Sequence, residues 1–245
     1  QEKIAQLSKM LLNAKKPIIY AGGGIVNSGP NASKMLKELV DLTGIPTTLT
    51  LMGLGALPWD HPNFLGMLGM HGTYEANLAM YNCDVMLNIG ARFDDRITGN
   101  LKEFSPKSKK IHIDIDPSSI NKSVQVDMSI VADASSALKE LIHSIKKVKF
   151  DNGKIRLASW NNQIDKWKEK NCLGFKQKGN QIKPQYAIKR LFEKTSNTDT
   201  YITTEVGQHQ MWAAQFYKFE EPNRWLTSGG LGTMGYGFPA AIGAQ

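Results

Sequence analysis

The sequence lacks the features that define disulfide-rich, metal-binding and membrane-spanning proteins. It has only two cysteines in 245 residues, Cys83 and Cys172, which form no Cys-x-x-Cys pair and supply too few thiols for a zinc site. No apolar run approaches the roughly 20 residues that a membrane-spanning helix requires. We therefore predict a cytoplasmic protein that has reduced cysteines, holds no metal through its own side chains and has no membrane partner.

The formal net charge of +8 is the one sign of a nucleic-acid partner. The lysines, however, are concentrated between residues 139 and 178, where Glu, Asp and Asn residues are mixed among them. They are not interleaved with an aromatic platform of the kind on which single-stranded bases stack. A solvated, lysine-rich surface accounts for the charge, and we predict no nucleic-acid partner.

Both ends of the sequence have an internal character. Residue 1 is Gln rather than Met, and no charged segment followed by an apolar one marks a leader. Residues 239–245 stop inside an apolar helical pattern that has no cap. We therefore expect the chain to be an internal piece of a longer protein.

Short apolar strands alternate with amphipathic helices along the first part of the chain. Strands are predicted at residues 17–20, 47–51, 64–68, 85–89, 110–116 and 130–132. Helices are predicted at residues 2–14, 30–43 and 73–82 and after Asp133. This alternation predicts the α/β class, with a doubly wound parallel sheet.

The composition changes near Lys146, which indicates a second unit. Residues 149–183 are polar and lysine-rich, with one helical pattern around 155–170, and we interpret them as a connector. A second α/β unit follows, with a helix at 184–194 and strands at 200–204 and 224–227. The predicted organisation is therefore a first domain at 1–148, a connector at 149–183 and an incomplete second domain at 184–245.

The strand at 85–89 ends in a glycine turn that is followed by four charges. Open α/β sheets bind their ligands beyond the carboxyl ends of their strands, and charges are costly to bury there unless they pair or meet a charged ligand. Two interpretations stay open, a loop whose charges satisfy one another and a ligand site. The charged residues are Arg92, Asp94, Asp95 and Arg96.

Gly22-Gly23-Gly24 after the first strand suggests a nucleotide, but not a nicotinamide dinucleotide. The fingerprint Gly-x-Gly-x-x-Gly would need a glycine where the chain has Asn27, and an acidic residue about 20 positions on. The turn therefore either approaches another ligand closely or serves the fold alone. His71, and the aspartates that end the strand at 110–116, are likewise either ligand-binding or structural.

Six motifs together resemble the catalytic large subunits of the acetohydroxyacid synthases, the FAD-containing biosynthetic acetolactate synthases among the thiamine-diphosphate enzymes. The resemblance runs along the whole chain and covers the family's middle domain and the start of its diphosphate-binding domain. The motifs are TLMGLGALP at 50–58, LGMHGT at 68–73, GARFDDRITG at 90–99, HIDIDP at 112–117, EVGQHQMWAAQFY at 205–217 and SGGLGTMGYGFPAAIGA at 228–244.

The resemblance implies a role for particular residues. Positions that match FAD contacts are Gly22, Gly23, Thr50, Leu51, Leu68, Gly69, Met70, His71, Gly90, Ala91, Arg92, Asp94, Arg96, Asp114, Ile115, Asp133 and Ala134. Positions that match thiamine-diphosphate contacts are Val206, Gly207, Gln208, His209, Gly232 and Met234. The implied catalytic residues are Arg96, which would receive the carboxylate of the second 2-oxoacid, Gln208 and Met234.

The resemblance also implies a transferase reaction, in which pyruvate is decarboxylated and joined to pyruvate or 2-oxobutyrate. The products would be 2-acetolactate or 2-aceto-2-hydroxybutyrate, in branched-chain amino acid biosynthesis. Homodimers or tetramers of catalytic subunits, with a small regulatory subunit as a further partner, are implied as well. The glutamate that activates the cofactor and the Mg2+ ligands would lie outside this chain, so we expect the chain alone to be inactive.

Two alternatives stay open. One is another thiamine-dependent carboligase or decarboxylase, such as glyoxylate carboligase, although that enzyme does not usually have the Arg-Phe-Asp-Asp sequence after the strand. The other is a non-catalytic flavin-binding module on the same sheet, in which the charged loop serves an interface.

Overall fold

A computed structural model of the chain describes residues 2–148 and 156–245. The helices are α1 (Glu2–Asn13), α2 (Gly23–Asn27), α3 (Pro30–Thr43), α4 (Tyr74–Asn82), α5 (Asp95–Thr98), α6 (Ala134–Lys147), α7 (Ala158–Lys168), α8 (Pro184–Thr195), α9 (Gln208–Phe216) and α10 (Gly237–Ala244). The strands are β1 (Pro17–Ala21), β2 (Thr47–Leu49), β3 (Phe64–Met67), β4 (Val85–Ile89), β5 (Lys109–Asp114), β6 (Met128–Val131), β7 (Ile202–Thr204) and β8 (Trp225–Thr227). Single 3-10 turns occur at Leu51–Gly53 and Pro117–Ser119.

The first unit contains a six-stranded parallel sheet in the order β3-β2-β1-β4-β5-β6. The chain leaves β1 towards β2 on one side and later returns to β4 on the other side. The topological switch point, where such sheets bind ligands, therefore lies between β1 and β4.

Helices cover both faces of this sheet. Helices α1, α3 and α6 pack on the face that includes Ile19, Leu87 and Ile111. Helices α4 and α7 pack on the opposite face, which includes Ile18 and Met86. Because neighbouring strand residues point to opposite faces, both faces are apolar and buried. The prediction of a doubly wound parallel sheet is confirmed.

Local capping explains where several helices begin and end. The Thr73 side chain accepts a hydrogen bond from Ala76 N at the start of α4, and Asp133 accepts from two backbone N–H groups at the start of α6. Gly44 ends α3 in the left-handed conformation, with φ of 67°. One predicted loop differs from the structure, since the glycine run after β1 enters the short helix α2.

The polar segment between the two units supplies a core helix. Trp160 and Ile164 of α7 are buried in the first unit, and Trp160 Nε1 donates to Pro17 O at 3.1 Å. The helix predicted around 155–170 is therefore present as α7, although residues 149–155 of the predicted connector lie outside the described residues. The connector boundaries themselves stay a prediction.

The second unit begins with α8 and contains the parallel pair β7–β8. An apolar cluster joins this unit to the first, because Leu54 and Met67 pack with Ala213, Tyr217 and Trp225. The α/β character predicted for residues 184–245 is present, with strands shorter than predicted. No helix within the described residues is long and apolar enough to cross a membrane.

Candidate functional site

Every predicted FAD contact lies at or shortly after the carboxyl end of a strand of the six-stranded sheet. The structure thus brings together residues from six separate stretches of sequence along one edge. By strand, they are Gly22 and Gly23 after β1, Thr50 and Leu51 after β2, Leu68–His71 after β3, Gly90–Arg92, Asp94 and Arg96 after β4, Asp114, at the end of β5, with Ile115, and Asp133 and Ala134 after β6.

The glycines after β1 pack directly against the turn after β4. A Cβ on Gly22 would lie 2.4 Å from Gly90 O, and a Cβ on Gly24 would lie 2.6 Å from Gly90 Cα. Gly24 N donates to Gly90 O at 2.9 Å, and Gly90 has a positive φ of 60°. Contact between the two strand exits therefore requires these glycines, whether or not a ligand also approaches them.

Asn88 braces the same turn from below. Its side chain is fully buried, its Nδ2 donates to Ala91 O at 2.7 Å and its Oδ1 accepts from Ala91 N at 3.2 Å. Asn88 is in register with Tyr20 of β1 and His112 of β5. The sequence analysis did not select Asn88, although a single amide within an apolar strand pattern is a signal for it, because a buried amide requires partners.

His112 completes this buried polar row beneath the charged loop. Its ring lies edge-on to Phe93, with centroids 5.2 Å apart, and its Nε2 is 3.5 Å from Asp114 Oδ2. Burial lowers the pKa of His112, although the Asp114 carboxylate acts in the opposite direction. Burial thus favours the neutral imidazole, and the ring supports the loop by packing against Phe93.

The charged loop pairs its own residues. Arg92 Nη2 lies 3.4 Å from Asp94 Oδ2, and Arg96 Nη1 lies 3.0 Å from Asp95 Oδ2. Asp94 also caps α5 through Arg96 N at 3.1 Å, which is the main cause that lowers the pKa of Asp94. The side chains of Arg92 and Arg96 are 67% and 66% exposed, so these pairs are weak and leave both guanidinium groups accessible.

The exit of β3 contacts this loop through the backbone. Met70 N donates to Arg96 O at 2.8 Å, and a Cβ on Gly69 would lie 2.5 Å from the same oxygen. Leu68 is buried, whereas His71 is exposed and its backbone oxygen accepts from Gln215 Nε2 at 3.0 Å. The structure therefore joins the LGMHGT and GARFDDRITG segments directly.

Asp133 follows β6, and its side chain caps helix α6. Its Oδ1 accepts from Ser135 Oγ at 2.6 Å and from Ser135 N and Ser136 N, and its Oδ2 accepts from Ser28 Oγ. The hydroxyl groups of Ser135 and Ser28 are the main causes that lower the pKa of Asp133 to about 2. The predicted FAD contact at this position therefore has a structural role of its own.

Three further features make the edge suitable for a large ligand. The hydroxyl of Thr50 is buried without a hydrogen-bond partner among the described residues. Met70 and Ile115 expose 68% and 69% of their surface beside charged groups. A ligand that combines an apolar ring with a polar chain matches this combination of exposed apolar surface and unused polar atoms.

The second unit has its own ligand-facing edge. Gly207 precedes α9, so Gln208 and His209 occupy the first turn of that helix, as predicted, and both are exposed. The exits of β7 and β8 meet here, because a Cβ on Gly232 would lie 3.7 Å from Val206 Cγ1. Met234 is exposed on the same loop as Gly232.

A cavity of about 380 Å³ lies between β3 and α9, lined by Leu57, Met67, Tyr217 and Phe219. Of the predicted contacts, His71 lines it. Within residues 2–148 and 156–245, no three His, Cys, Asp or Glu side chains are grouped so that they could hold a metal ion.

These features define a protein that has two α/β units, with exposed polar and glycine-rich segments at the strand exits of each. Residues 4–141 match the family described as "Thiamine pyrophosphate enzyme, central domain", and residues 205–245 match "Thiamine pyrophosphate enzyme, C-terminal TPP binding domain". The chain belongs to the thiamine pyrophosphate enzyme family.

Among curated proteins, the chain is similar to acetolactate synthase large subunits. It is 51% identical over 245 residues to that of Buchnera aphidicola from Schizaphis graminum, covering 100% of this chain and 42% of the relative. It is 45% identical over 243 residues to the isozyme 3 large subunit of Escherichia coli, covering 99% and 42%. It is 48% identical over 241 residues to tobacco acetolactate synthase 1, chloroplastic, covering 98% and 35%. The chain therefore spans less than half the length of these relatives.

Proposed function

We propose that this chain is part of an acetolactate synthase large subunit, which joins decarboxylated pyruvate to pyruvate or 2-oxobutyrate. The products are 2-acetolactate and 2-aceto-2-hydroxybutyrate, in branched-chain amino acid biosynthesis. The observation that carries the proposal is the similarity of 45–51% identity over nearly the whole chain to bacterial large subunits. The strand-exit positions of the shared motifs support it.

Thiamine diphosphate, when bound, supplies the electron sink for decarboxylation of a 2-oxoacid. The start of α9 fits its diphosphate, because the first N–H groups of a helix have no partners within the helix and favour an anion. No side chain caps this helix among the described residues, and Gln210 N already donates to Gly207 O at 3.1 Å, so the N–H groups of Gln208 and His209 remain available. Val206, Gly207, Gln208 and His209 would hold the diphosphate end.

Gly232 and Met234 would contact the ring portion of the same cofactor. Gly232 has a φ of 69° and no Cβ, so its backbone can approach a ligand closely. Met234 is exposed and flexible, and a thioether side chain adapts to an irregular gap. Its proposed role is to hold the bound cofactor in the reactive shape.

FAD would lie along the carboxyl edge of the first sheet. The Thr50 hydroxyl, which has no partner among residues 2–148 and 156–245, and the exposed Met70 and Ile115 fit a molecule that has a polar chain and a large apolar ring. Arg96 would receive the carboxylate of the second 2-oxoacid, because a guanidinium can bind a carboxylate in a bidentate manner. Its weak pair with Asp95 leaves it free to do so.

Catalytic subunits form a homodimer or tetramer, with a small regulatory subunit as a further partner. Mg2+ is held by residues outside this chain, and the compartment is the cytoplasm.

Flavin content and substrate use of the complete enzyme test this function. The expected result is one FAD for each subunit, together with pyruvate consumption and acetolactate formation. Flavin with glyoxylate rather than pyruvate consumption would indicate a different carboligase. Flavin without thiamine-dependent activity in the complete protein would refute the proposal and favour a non-catalytic module. The matched control is Asp165→Asn, an exposed change on α7 away from both edges, which should alter none of these readings.

A further inference from the structure

Glu205 lies between β7 and Gly207, and its carboxylate is surrounded by backbone donors. It accepts hydrogen bonds from four consecutive N–H groups, two from the residues just before α10 and two from its first residues. These are Gly235 N at 2.6 Å and Tyr236 N at 3.1 Å on Oε2, and Gly237 N at 2.7 Å and Phe238 N at 3.3 Å on Oε1.

This arrangement uses the free N–H groups at the start of a helix. Such groups have no partner within the helix, and a carboxylate beside them is favourable. The start of α10 is also packed on the β7 exit, because a Cβ on Gly237 would lie 2.7 Å from Glu205 N. The four donors outweigh the desolvation that would raise the pKa of Glu205, and they lower it, so the group is ionised at neutral pH.

The same loop is tied down at its other end. Thr233 N donates to Ser228 Oγ at 2.8 Å. Gln210 Nε2 donates to Thr227 Oγ1 at 2.6 Å, which links α9 to the last residue of β8. The residues between Ser228 and Gly235, which include Gly232 and Met234, are largely exposed.

We propose that Glu205 is a positioning residue, whose carboxylate fixes the loop at 228–238 in the conformation that presents Gly232 and Met234 to thiamine diphosphate. The inference rests on the proposed function and deepens it. Glu205 acts through the loop backbone and needs no contact with the cofactor. Glu205 directly precedes Val206–His209, the segment of predicted thiamine-diphosphate contacts.

The geometry requires a carboxylate rather than any polar side chain. Each of the two oxygens of Glu205 accepts two N–H groups. An amide at this position offers one acceptor oxygen and turns its own N–H2 donors towards the remaining N–H groups. Aspartate keeps both acceptor oxygens and shortens the reach by one methylene. Glu205→Gln should therefore be more harmful than Glu205→Asp.

The test measures thiamine-diphosphate affinity by calorimetry, and turnover at saturating cofactor, in the complete enzyme. For Glu205→Gln we expect a dissociation constant raised about tenfold or more and turnover lowered, whereas Glu205→Asp should recover most of both. The matched control is Glu221→Gln, an exposed glutamate of the same unit that pairs with Arg224. It should stay within twofold of wild type.

A mutant cycle separates positioning from general stability. If Glu205 acts through Met234, the losses caused by Glu205→Gln and Met234→Ala should not add in the double variant. If Glu205→Gln does not fold, the cycle is run with Glu205→Ala, which also removes the carboxylate but places no N–H2 donors against the loop N–H groups. Additive losses, equal losses in Gln and Asp variants, or wild-type affinity and turnover in Glu205→Gln would each overturn the inference. A wild-type enzyme that binds no thiamine diphosphate would instead refute the proposed function.

Discussion

The brace formed by Asn88 gives a prediction that joins stability to flavin binding. Asn88→Leu replaces the amide by an apolar side chain of similar size, so it removes both hydrogen bonds to Ala91 and leaves little cavity. Ala91 is buried, with 3% of its surface exposed, so its N–H and C=O would lose their partners without gaining access to water.

The expected loss of stability follows from the N–H and C=O groups of Ala91, which would be left without partners. A hydrogen bond contributes about 0.5–1.5 kcal/mol net, and a buried polar group left unsatisfied costs about 1–3 kcal/mol. We expect Asn88→Leu to lower the free energy of unfolding by about 2–4 kcal/mol. This remains below the roughly 5–15 kcal/mol of a typical domain, so the variant should still fold.

The consequence for binding comes from the turn that Asn88 supports. Ala91 lies between Gly90 and Arg92 in the predicted FAD site, and a loosened turn must be ordered again when the ligand binds. Since 1.4 kcal/mol corresponds to a factor of about ten in affinity, a loss of this size should raise the FAD dissociation constant at least about tenfold. Urea denaturation and flavin-fluorescence titration of the complete enzyme measure the two effects.

The matched control is the next residue of the same strand. Ile89 is fully buried but faces the opposite side of the sheet, so Ile89→Val should cost about 0.5–1.5 kcal/mol in packing without touching the brace. FAD affinity should therefore stay near the wild-type value in Ile89→Val. The reasoning fails if Asn88→Leu keeps wild-type stability, or if both variants change FAD affinity equally.

Three further predictions concern the two edges. Arg96→Lys should weaken use of the second 2-oxoacid more than FAD binding, because an ammonium cannot form the bidentate contact; unchanged acceptor kinetics would contradict this. The double variant Gln208→Ala, His209→Ala should lower thiamine-diphosphate affinity in calorimetry, and wild-type affinity would remove the assignment. Asp133→Ala should cost about 1 kcal/mol of stability and Asp133→Asn less, since Asn also caps helices. Because the pKa of Asp133 is lowered to about 2, the advantage of wild type over Asp133→Ala should be present above about pH 4 and be lost as the pH falls through about 2. Urea denaturation measures it, and an advantage independent of pH would contradict the prediction.

The helices and strands could be predicted from the sequence because the interactions that start and end them join residues close together in the chain. Asp133 and Thr73 stand directly before apolar helical patterns, and their side chains cap the helices that follow. Gly44 ends α3 through a conformation that glycine adopts without strain. The alternation of short strands and helices was sufficient to predict the doubly wound sheet.

The features that could not be predicted from the sequence depend on contacts between residues far apart in the chain. The glycine run after β1 has low helical propensity, yet it forms α2, packed against the turn at Gly90. The polar segment around α7 contributes Trp160, whose ring nitrogen bonds to Pro17, at a separation of 143 residues. The role of Asn88 likewise depends on the strand order, which places it in the middle of the sheet beneath the charged turn.

At both edges a polar side chain holds the backbone of a loop in place. Inside, buried or partly buried polar groups hold backbone, Asn88 at the β4 turn and Glu205 at the loop before α10. Outside, Arg92 and Arg96 make only exposed pairs, each worth about 0–1 kcal/mol, which a bound anion can replace at little cost. A site built in this way keeps its shape when its charged side chains exchange partners. It follows that substitutions at the inner groups should alter cofactor affinity together with stability, whereas substitutions at the outer arginines should alter binding alone.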